Sequence, residues 1–441
     1  MSPPALVNSR PARDNGWTLA ILGPAASTDL ERNLSTTSAT AEPEVATYPR
    51  VLLKPRKANP FYARHPWVLD SAIHRIEGDP ADGAVVDLIS DKGKWIARGV
   101  FNRRSRIQVR LYSWRADEAL DETFFRQRLE RAIRLRADLG LADPRGGARL
   151  VYSEADELSG LIVDRYGEHL VIYVTALAIA QRVEMIAGLL EELLHPVSIL
   201  LRIDPTLAST EGIEVADGVL RGAAPEAPVL INEYGVQFTV DLTTGQKTGY
   251  FLDQRENRRV AAEYLRGRRV LDMFCYTGGF GLAAAKLGGA TDVLAVDSSR
   301  KALAMAESNA ALNGLTQIRF QVGEAFTVLD ELVAAKDKFS GIILDPPKFA
   351  RGRKSLEQAL RAYHRLNRQA LELLEPGGIL VTCSCSGHVT PDDFLYMLIG
   401  VAHKSGRSLQ FLERRGAAPD HPVSADCLEN EYLNCIICRV S

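Results

Sequence analysis

The chain has 441 residues, of which 46% are apolar and 24% charged, so it has the composition of a globular protein with room for two or three domains. Its 53 Lys and Arg against 55 Asp and Glu give a formal charge of −2, which excludes a general attraction to nucleic acid or membrane and leaves only local patches. No apolar run approaches the roughly 18 residues of a membrane span, so we expect a cytoplasmic protein without membrane contact. The six cysteines all lie from Cys275 onward, which argues against a disulfide framework.

Residues 1–48 lack periodicity and are rich in Pro, Ser, Thr and Ala, which predicts a disordered tail. The pattern then changes to short β-rich segments separated by Gly, Asp or Lys, including VLLK, AVVDLIS, KWIARGVF and RIQVRLYSW. These predict a small β-barrel or curled sheet that ends near Trp114, within a first domain of residues 49–115.

The charge of this first domain is lopsided. Between Arg50 and Arg115 there are 14 Lys and Arg against 6 Asp and Glu, a local +8. Arginines alternate with Phe and Trp in RHPWVLD and FNRRSRIQVR, a composition suited to phosphate contact beside base stacking. We therefore predict an RNA-binding surface; a solvated basic face is the alternative. Its predicted contact residues are Lys54, Arg64, Arg103, Arg104 and Arg106.

A second domain is predicted over residues 116–227. Apolar residues at helical spacing predict a helix over 121–140, and β-β-α-β segments follow, which indicates a small α+β domain. It carries no evident catalytic constellation, so we expect a spacer or docking role.

Residues 228–441 alternate apolar strands with helices, which predicts an α/β domain with a mostly parallel, doubly wound sheet. The last two strands, SLQFLERR and YLNCIICRV, have no helix between them and predict a final antiparallel hairpin. Ligands of such sheets bind beyond the carboxyl ends of the strands, so the residues at those ends are the candidates for a site.

The loop after the first strand of this domain reads LDMFCYTGGFGL. Its glycines allow a tight turn before a helix whose N-terminus points at a ligand, and Gly279, Gly281 and Ala284 match G-x-G-x-x-A. Asp297 ends the next strand, where it can accept hydrogen bonds from ribose hydroxyls; capping the following helix is the alternative. Both NAD and S-adenosylmethionine need such an acid. The predicted cofactor residues here are Asp272, Phe274, Tyr276, Thr277, Gly278, Gly279 and Asp297.

The stretch GIILDPPKF separates the two cofactors. Its two prolines hold the backbone rigid beyond the strand, so that Asp345 and the carbonyls near Pro346 face a flat polar group such as a nucleobase edge. Dehydrogenases have no use for such a loop, so the stretch favours S-adenosylmethionine over NAD.

Seven stretches spread along the chain carry a family resemblance: RHPWVL, GKWIARG, KTGYFLDQRENR, YTGGF, DPPKF, ILVTCSCSG and DHPV. From about Arg50 to Ser441 the chain resembles the bacterial RlmI-type large-subunit ribosomal RNA cytosine-C5 methyltransferases. The resemblance implies a PUA domain, a central α+β domain and a class I methyltransferase domain with a seven-stranded sheet. It further implies S-adenosylmethionine as cofactor and large-subunit ribosomal RNA as partner, and a homodimer is compatible with it. On the same ground, the residues expected against the cofactor are Lys247, Tyr250, Asp253, Gln254, Arg255 and, near the adenine, Glu324.

The strand GGILVTCSCSG ends in two cysteines, one of which could attack C6 of cytosine and so activate C5. Cys383 lies inside the apolar run, whereas Cys385 lies where the chain leaves the sheet, so Cys385 is the predicted nucleophile, and the family match selects it too. A disulfide between them would be strained, and a zinc site with Cys435 and Cys438 lacks a knuckle turn, so no metal is expected.

Asp345 is the predicted partner of the cytosine edge. The base that removes the C5 proton is left open between Lys348 and a bound water.

Three other functions remain open from the sequence. Methyl transfer to a guanine nitrogen would need no cysteine. An NAD-dependent oxidoreductase would fit G-x-G-x-x-A and Asp297, and a ribosome-assembly factor could keep the fold without catalysis.

Overall fold

A computed structural model describes residues 48–441 apart from 142, 244–248, 351, 353 and 354. The predicted tail therefore lies outside the described residues except for Tyr48, and so does Lys247. None of the described helices combines the length and hydropathy needed to cross a bilayer.

The first part of the described chain forms one six-stranded mixed sheet, ordered β2-β6-β5-β4-β1-β3. Alternate residues of these strands face a core that includes Val51, Val86 and Phe101. Strand β1 runs parallel to β4, and the other pairs are antiparallel. The elements are β1 (Arg50–Leu53), α1 (Asn59–Tyr62), β2 (Trp67–Leu69), β3 (Ile73–Glu77), β4 (Val85–Ile89), β5 (Trp95–Phe101) and β6 (Ile107–Ser113).

A five-stranded sheet follows, ordered β11-β10-β9-β8-β7. Helices α2 and α4 pack their apolar residues on one face of it, in a core that includes Leu129, Ile172 and Ile186. Asp121 begins α2 by accepting a hydrogen bond from the Phe124 N–H at 3.0 Å. The elements are α2 (Glu122–Asp138), β7 (Gly147–Tyr152), β8 (Leu161–Tyr166), β9 (His169–Val174), α3 (Leu177–Ala180), α4 (Val183–Leu194), β10 (Ser198–Ile203), α5 (Pro205–Glu211) and β11 (Gly218–Gly222).

A hairpin of β12 (Val229–Glu233) and β13 (Val236–Val240) precedes the last sheet, which has seven strands in the order β16-β15-β14-β17-β18-β20-β19. Only β20 runs antiparallel to its neighbours, so the predicted α/β class, parallel sheet and final hairpin are confirmed. The elements are α6 (Arg255–Tyr264), β14 (Arg269–Met273), α7 (Gly279–Lys286), β15 (Asp292–Asp297), α8 (Arg300–Leu312), β16 (Ile318–Val322), α9 (Ala325–Ala334), β17 (Phe339–Leu344), α10 (Leu356–Leu373), β18 (Leu374–Ser384), α11 (Pro391–Ser405), β19 (Leu409–Arg415) and β20 (Asn434–Val440).

A buried network at Asp420 ties the five-stranded sheet to the seven-stranded one. Its carboxylate accepts the Arg149 backbone N–H at 3.0 Å and pairs with Arg255 at 2.8 Å, while Arg136 donates to its carbonyl at 2.8 Å. Because α2, β7 and α6 each send a group to one buried residue, the two sheets are held in a fixed relation.

The six-stranded sheet is attached in the same way. Arg110 on β6 lies within ion-pair distance of Glu154 (3.5 Å) and Glu211 (3.4 Å), and Asn102 donates to Glu211 at 3.1 Å. Ser105 adds a hydrogen bond of 2.5 Å to Glu211. These groups are buried, so the contact between the first two sheets is specified by polar pairing as well as by apolar packing.

Candidate active site

A cavity of about 250 Å³ opens at the carboxyl ends of β14, β15, β17 and β18. Parallel strands end at the same edge of the sheet, so the loops that follow them meet there. Residues from all four loops line it, and so does the segment that leads into α6. The predicted site residues that it gathers are Tyr250, Asp253, Gln254, Asp272, Phe274, Tyr276, Thr277, Gly279, Asp297, Asp345, Pro346 and Cys385.

The loop between β14 and α7 is shaped by small residues and a buried acid. Gly278 has φ +87° at the start of α7, a conformation that favours glycine. Asp272 accepts the Gly281 N–H at 2.7 Å, and a Cβ at Gly281 would lie 2.9 Å from that carboxylate. Burial, with the neighbouring carboxylates of Asp345 and Asp297, raises the pKa of Asp272 from 3.8 to about 8. The cavity thus holds an acid that a cationic ligand would ionise.

Asp297 joins the loops after β14 and β15. Its carboxylate accepts the Tyr276 N–H at 2.9 Å and the Ser299 N–H at 2.8 Å. The cap of α8 is Ser299, whose hydroxyl accepts from Ala302, so the capping alternative for Asp297 is wrong. A carboxylate has about four acceptor positions, so two remain for ribose hydroxyls.

Asp345 is held by a chain of amide groups. The Gln254 side chain donates to Asp345 at 2.9 Å and accepts from Asn257 at 2.7 Å, and Asn257 accepts from Arg415 at 3.0 Å. Gln254 and Asn257 are almost fully buried. Sequence reasoning did not select Asn257 or Arg415, although Asn257 follows Gln254 by three residues, one helical turn.

The two cysteines at the end of β18 have different surroundings. Cys383 is fully buried opposite Cys435 of β20. Burial is the main cause that raises the pKa of the Cys383 thiol well above 9.0, and the neighbouring Cys435 is the second. Cys385 lies one residue beyond β18, is partly exposed, and lines the cavity with its Sγ 3.8 Å from the Pro346 carbonyl. A thiol must ionise to attack, so Cys385 is the better placed.

A third cysteine, Cys275, also lines the cavity and was not considered from the sequence. It is 5% exposed. Burial, with Asp272 and Asp297 nearby, raises the pKa of its thiol far above the ordinary value, which opposes thiolate formation.

Two predicted cofactor residues lie elsewhere in the described chain. Arg255 donates to the Gly147 carbonyl at 2.6 Å and pairs with Asp420, so it connects the domains instead of lining the cavity. Glu324 is exposed at the start of α9 and is not among the lining residues. Gly278 shapes the loop without lining the cavity.

Sequence reasoning missed Phe251 and Arg258, which line the cavity. Arg258 pairs with Glu233 through two bonds of 2.7 Å, and its guanidinium lies 4.6 Å from the Tyr250 ring centroid. Both lie within the KTGYFLDQRENR stretch, which is the signal that could have selected them.

The basic side chains predicted to bind RNA are all exposed: Lys54, Arg64, Arg103, Arg104 and Arg106. Arg103 pairs with Asp79 at 3.0 Å. Two arginines counted in the local +8 are buried, since Arg98 pairs with Asp87 at 2.9 Å and Arg110 with Glu154 and Glu211. The exposed positive charge of this domain is therefore smaller than the +8 counted from its sequence. The indoles of Trp67 and Trp114 donate to Glu154 and to the Phe61 carbonyl, so both rings are engaged within the protein.

Comparison with known proteins gives the family. Residues 51–114 match the model of a PUA-like domain, and residues 215–431 match that of an S-adenosylmethionine-dependent methyltransferase. A curated relative from Erwinia tasmaniensis, named ribosomal RNA large subunit methyltransferase I, is 39% identical over 394 residues, covering 89% of this chain and 99% of the relative. One of the same name from Shewanella amazonensis is 39% identical over 393 residues, with the same coverage. The chain belongs to the ribosomal RNA large subunit methyltransferase I family.

Solved structures agree with the fold of this family. A methyltransferase in complex with SAH has a TM-score of 0.77 at 21% identity, and an S-adenosylmethionine-dependent methyltransferase from Streptococcus mutans has 0.76 at 20%. Both comparisons cover 88% of this chain and 99% of the other.

S-adenosylmethionine is the cofactor of this methyltransferase, and the cavity suits it. The hydroxyls of Tyr250 and Thr277 are buried and have no hydrogen-bond partner within the described chain, although both residues line the cavity. Buried polar groups need partners, so these two favour a polar ligand. A Cβ at Gly279 would lie 3.1 Å from the Arg258 side chain, so a larger residue there would crowd the arginine that lines the cavity. We expect the ligand to be held by Asp297 at its ribose, by this turn and by Asp272.

Proposed function

We propose that this methyltransferase forms 5-methylcytosine in large-subunit ribosomal RNA, with Cys385 as the nucleophile. The observation that carries the proposal is the position of Cys385: it lines the cofactor cavity together with Asp345, whereas Cys383 is fully buried. The names of the relatives support ribosomal RNA as the substrate.

Cytosine C5 is a poor nucleophile, and addition at C6 changes that. The thiolate of Cys385 forms a bond to C6, and the electron pair of the C5–C6 double bond moves so that C5 becomes enamine-like. S-adenosylmethionine supplies the methyl group, which C5 accepts. A base then removes the C5 proton, and the Cys385–C6 bond breaks to restore the double bond and the thiolate.

We assign to Asp345 the hydrogen bond with the N3 or N4 edge of the cytosine. Gln254 donates to one of its oxygens, which fixes the orientation of the carboxylate in the cavity. Two prolines follow directly, so the backbone at Asp345 is restrained as well. A fixed acceptor stabilises charge on the ring during addition without reorganising.

RNA contact is assigned to the PUA-like domain, residues 49–115, ahead of a central domain of residues 116–227 and the methyltransferase domain of residues 228–441. The exposed side chains of Lys54, Arg64, Arg104 and Arg106 make no ion pair within the described chain, which suits phosphate contact.

Bisulfite sequencing of ribosomal RNA from cells with and without the gene tests the proposal. We expect one cytosine in the large-subunit RNA to lose protection when the gene is absent. If the same cytosines resist bisulfite in both strains, and a methyl group at a guanine nitrogen is lost instead, the cytosine-C5 assignment is wrong and guanine methylation replaces it.

A further inference from the structure

A second cavity, of about 210 Å³, lies beside the first and has no part in the chemistry described above. It shares Tyr250, Phe251 and Asp253 with the cofactor cavity. Apart from Leu252, which lies between the shared residues, its other lining residues come from the five-stranded sheet and from the loop between β19 and β20. We call it the interdomain cleft.

One wall of the cleft is a row of side chains across three strands. Tyr152 of β7 is directly opposite Ile162 of β8, which is directly opposite Tyr173 of β9. Residues opposite one another in antiparallel strands place their side chains on the same face. Val171, two residues before Tyr173 on that face, belongs to the core shared with the seven-stranded sheet, whereas Tyr173 is only half-buried. The row of side chains therefore extends from the buried core to a position that solvent reaches.

The facing wall holds two further rings, His421 and Tyr432. The Tyr432 hydroxyl donates to Asp253 at 2.5 Å, and Nδ1 of His421 lies 2.9 Å from Asp420. The Tyr152 hydroxyl donates to the Asn430 carbonyl at 3.1 Å, and its ring lies 5.3 Å from that of His421. These bonds fix the rings before any ligand arrives, so stacking on them costs little conformational entropy.

The polar groups of the cleft suit a neutral ligand. The Arg149 guanidinium is paired with Asp164 through two bonds of 2.8 Å, so it offers no unpaired charge. Nδ1 of His421 is engaged by Asp420, whereas its Nε2 makes no hydrogen bond within the described chain and is left for a ligand. Aromatic faces beside the Asp253 carboxylate, with Arg149 already paired, fit a heteroaromatic ring with an amino or imino group better than they fit a phosphate.

We propose that the interdomain cleft binds an unstacked nucleobase of the substrate RNA, next in the strand to the nucleotide that is methylated. This rests on the proposed RNA substrate. The two cavities share three residues, so a base in the cleft lies beside the cavity that Cys385 lines. Stacking of splayed bases on aromatic side chains is the usual way in which single-stranded RNA is recognised.

Tyr173 gives the sharpest test because it lines the cleft but not the cofactor cavity. The substrate is a transcript that spans the methylated cytosine mapped by bisulfite sequencing. For Tyr173→Ala we expect KM for the transcript to rise roughly tenfold, with kcat and affinity for S-adenosylmethionine unchanged. Tyr173→Phe keeps the ring and should behave as wild type. Tyr396→Ala removes a tyrosine that is 69% exposed on α11 and serves as the matched control.

Abasic transcripts test whether the ligand is the neighbouring base. Removing the base on one side of the target should raise KM for wild type roughly tenfold and leave KM for Tyr173→Ala unchanged, since both changes remove the same contact. If the abasic transcript and Tyr173→Ala each raise KM and their combined effect is the product of the two, the proposal is overturned. It is also overturned if KM for Tyr173→Ala equals that of wild type. If wild-type protein methylates no RNA, the proposed function itself fails. A thermal melt of Tyr173→Ala, with Tyr173→Leu as a second variant that keeps apolar bulk, separates a folding defect from lost stacking.

Discussion

The Gln254 side-chain amide donates to the Asp345 carboxylate across 2.9 Å, and Gln254 is itself held by Asn257. Gln254 and Asp345 are 91 positions apart in the chain, yet their bond fixes an acid that lines the cavity. The orientation of Asp345 therefore depends on α6 as much as on its own loop.

Removing the support of Asp345 should lower kcat. Asn257 does not line the cofactor cavity, so Asn257→Leu should leave affinity for S-adenosylmethionine unchanged while kcat falls about tenfold or more, because Asp345 loses its fixed position. Steady-state kinetics with calorimetry measures both. Asn232→Leu is the control, since Asn232 is an exposed asparagine of β12. Wild-type kcat for Asn257→Leu would show that the amide chain serves stability alone.

The identity of the nucleophile is tested with RNA that carries 5-fluorocytosine at the target. The C5 proton is then missing, elimination cannot proceed, and wild-type protein should form a stable crosslink. Cys385→Ala should form none and have no activity, with cofactor binding intact. Cys383→Ala should keep the crosslink and lose about 1 kcal/mol of stability or somewhat more from packing. A denaturing gel reads the result.

Cys275 is the rival thiol in the same cavity, and Cys275→Ala should also keep the crosslink. A crosslink that survives in Cys385→Ala but is lost in Cys383→Ala or Cys275→Ala would move the nucleophile to that residue. Activity in all three variants would exclude a covalent adduct.

Cofactor affinity should depend on pH through Asp272. Its pKa is raised to about 8, so below that pH the carboxyl is mostly protonated. The sulfonium charge favours the carboxylate, so binding releases a proton, and affinity should rise from pH 6 to pH 8 and then level off. SAH lacks that charge and should show a smaller rise. Calorimetric titration of both ligands measures the difference, and Asp272→Asn should abolish it; a difference that persists would assign the proton elsewhere.

Asp420 should be a large contributor to stability. Despite its burial, pairing with His421 and Arg255 and the Arg149 N–H hold its pKa well below 3.8. The stabilisation is therefore present above the unfolded pKa near 4 and is lost as pH falls toward the folded pKa. Asp420→Ala leaves the buried Arg255 without its carboxylate partner and should cost about 3–5 kcal/mol. Thermal unfolding at pH 7 measures it, against the exposed Asp426→Ala; equal melting temperatures for the two variants would contradict the prediction.

RNA binding should weaken with salt through the PUA-like domain. For single strands the slope of log affinity against log salt changes by about 0.7 for each phosphate contact, so Arg106→Ala should make the slope shallower by about that amount. Arg115, which pairs with Asp117 at 3.0 Å, provides the control. An unchanged slope for Arg106→Ala would remove this residue from the RNA interface.

Local signals in the sequence predicted the edge of the cavity well. Asp297 and Asp345 follow apolar strands, and the topology of a parallel sheet brings such positions together. Cys383 and Cys385 could be separated because burial follows the apolar run. Strand β16, Ile318–Val322, was not recognised in its own right, since it is an edge strand whose residues are mostly exposed or half-buried.

Other features depend on residues far apart in sequence. The interdomain cleft combines Tyr152 and Tyr173 with His421 and Tyr432, which no local pattern relates. The charge of the PUA-like domain was overestimated because Arg110 meets Glu154 and Glu211 across a domain boundary. Arg255 belongs to a stretch that resembles a cofactor motif, yet Asp420, a partner distant in the chain, determines its role.

The buried contacts of Asp420 and of Glu211 hold the three sheets in fixed positions, so the distance from the PUA-like domain to the cavity is also fixed. If RNA binds to the PUA-like domain as proposed, only nucleotides at one set distance from that domain can enter the cavity. Under the proposed function, the target cytosine would be selected mainly by the folded shape of the RNA, which must match this distance. Inserting or deleting one nucleotide between the segment bound by the PUA-like domain and the methylated nucleotide should lower methylation more than changing the base sequence of that segment.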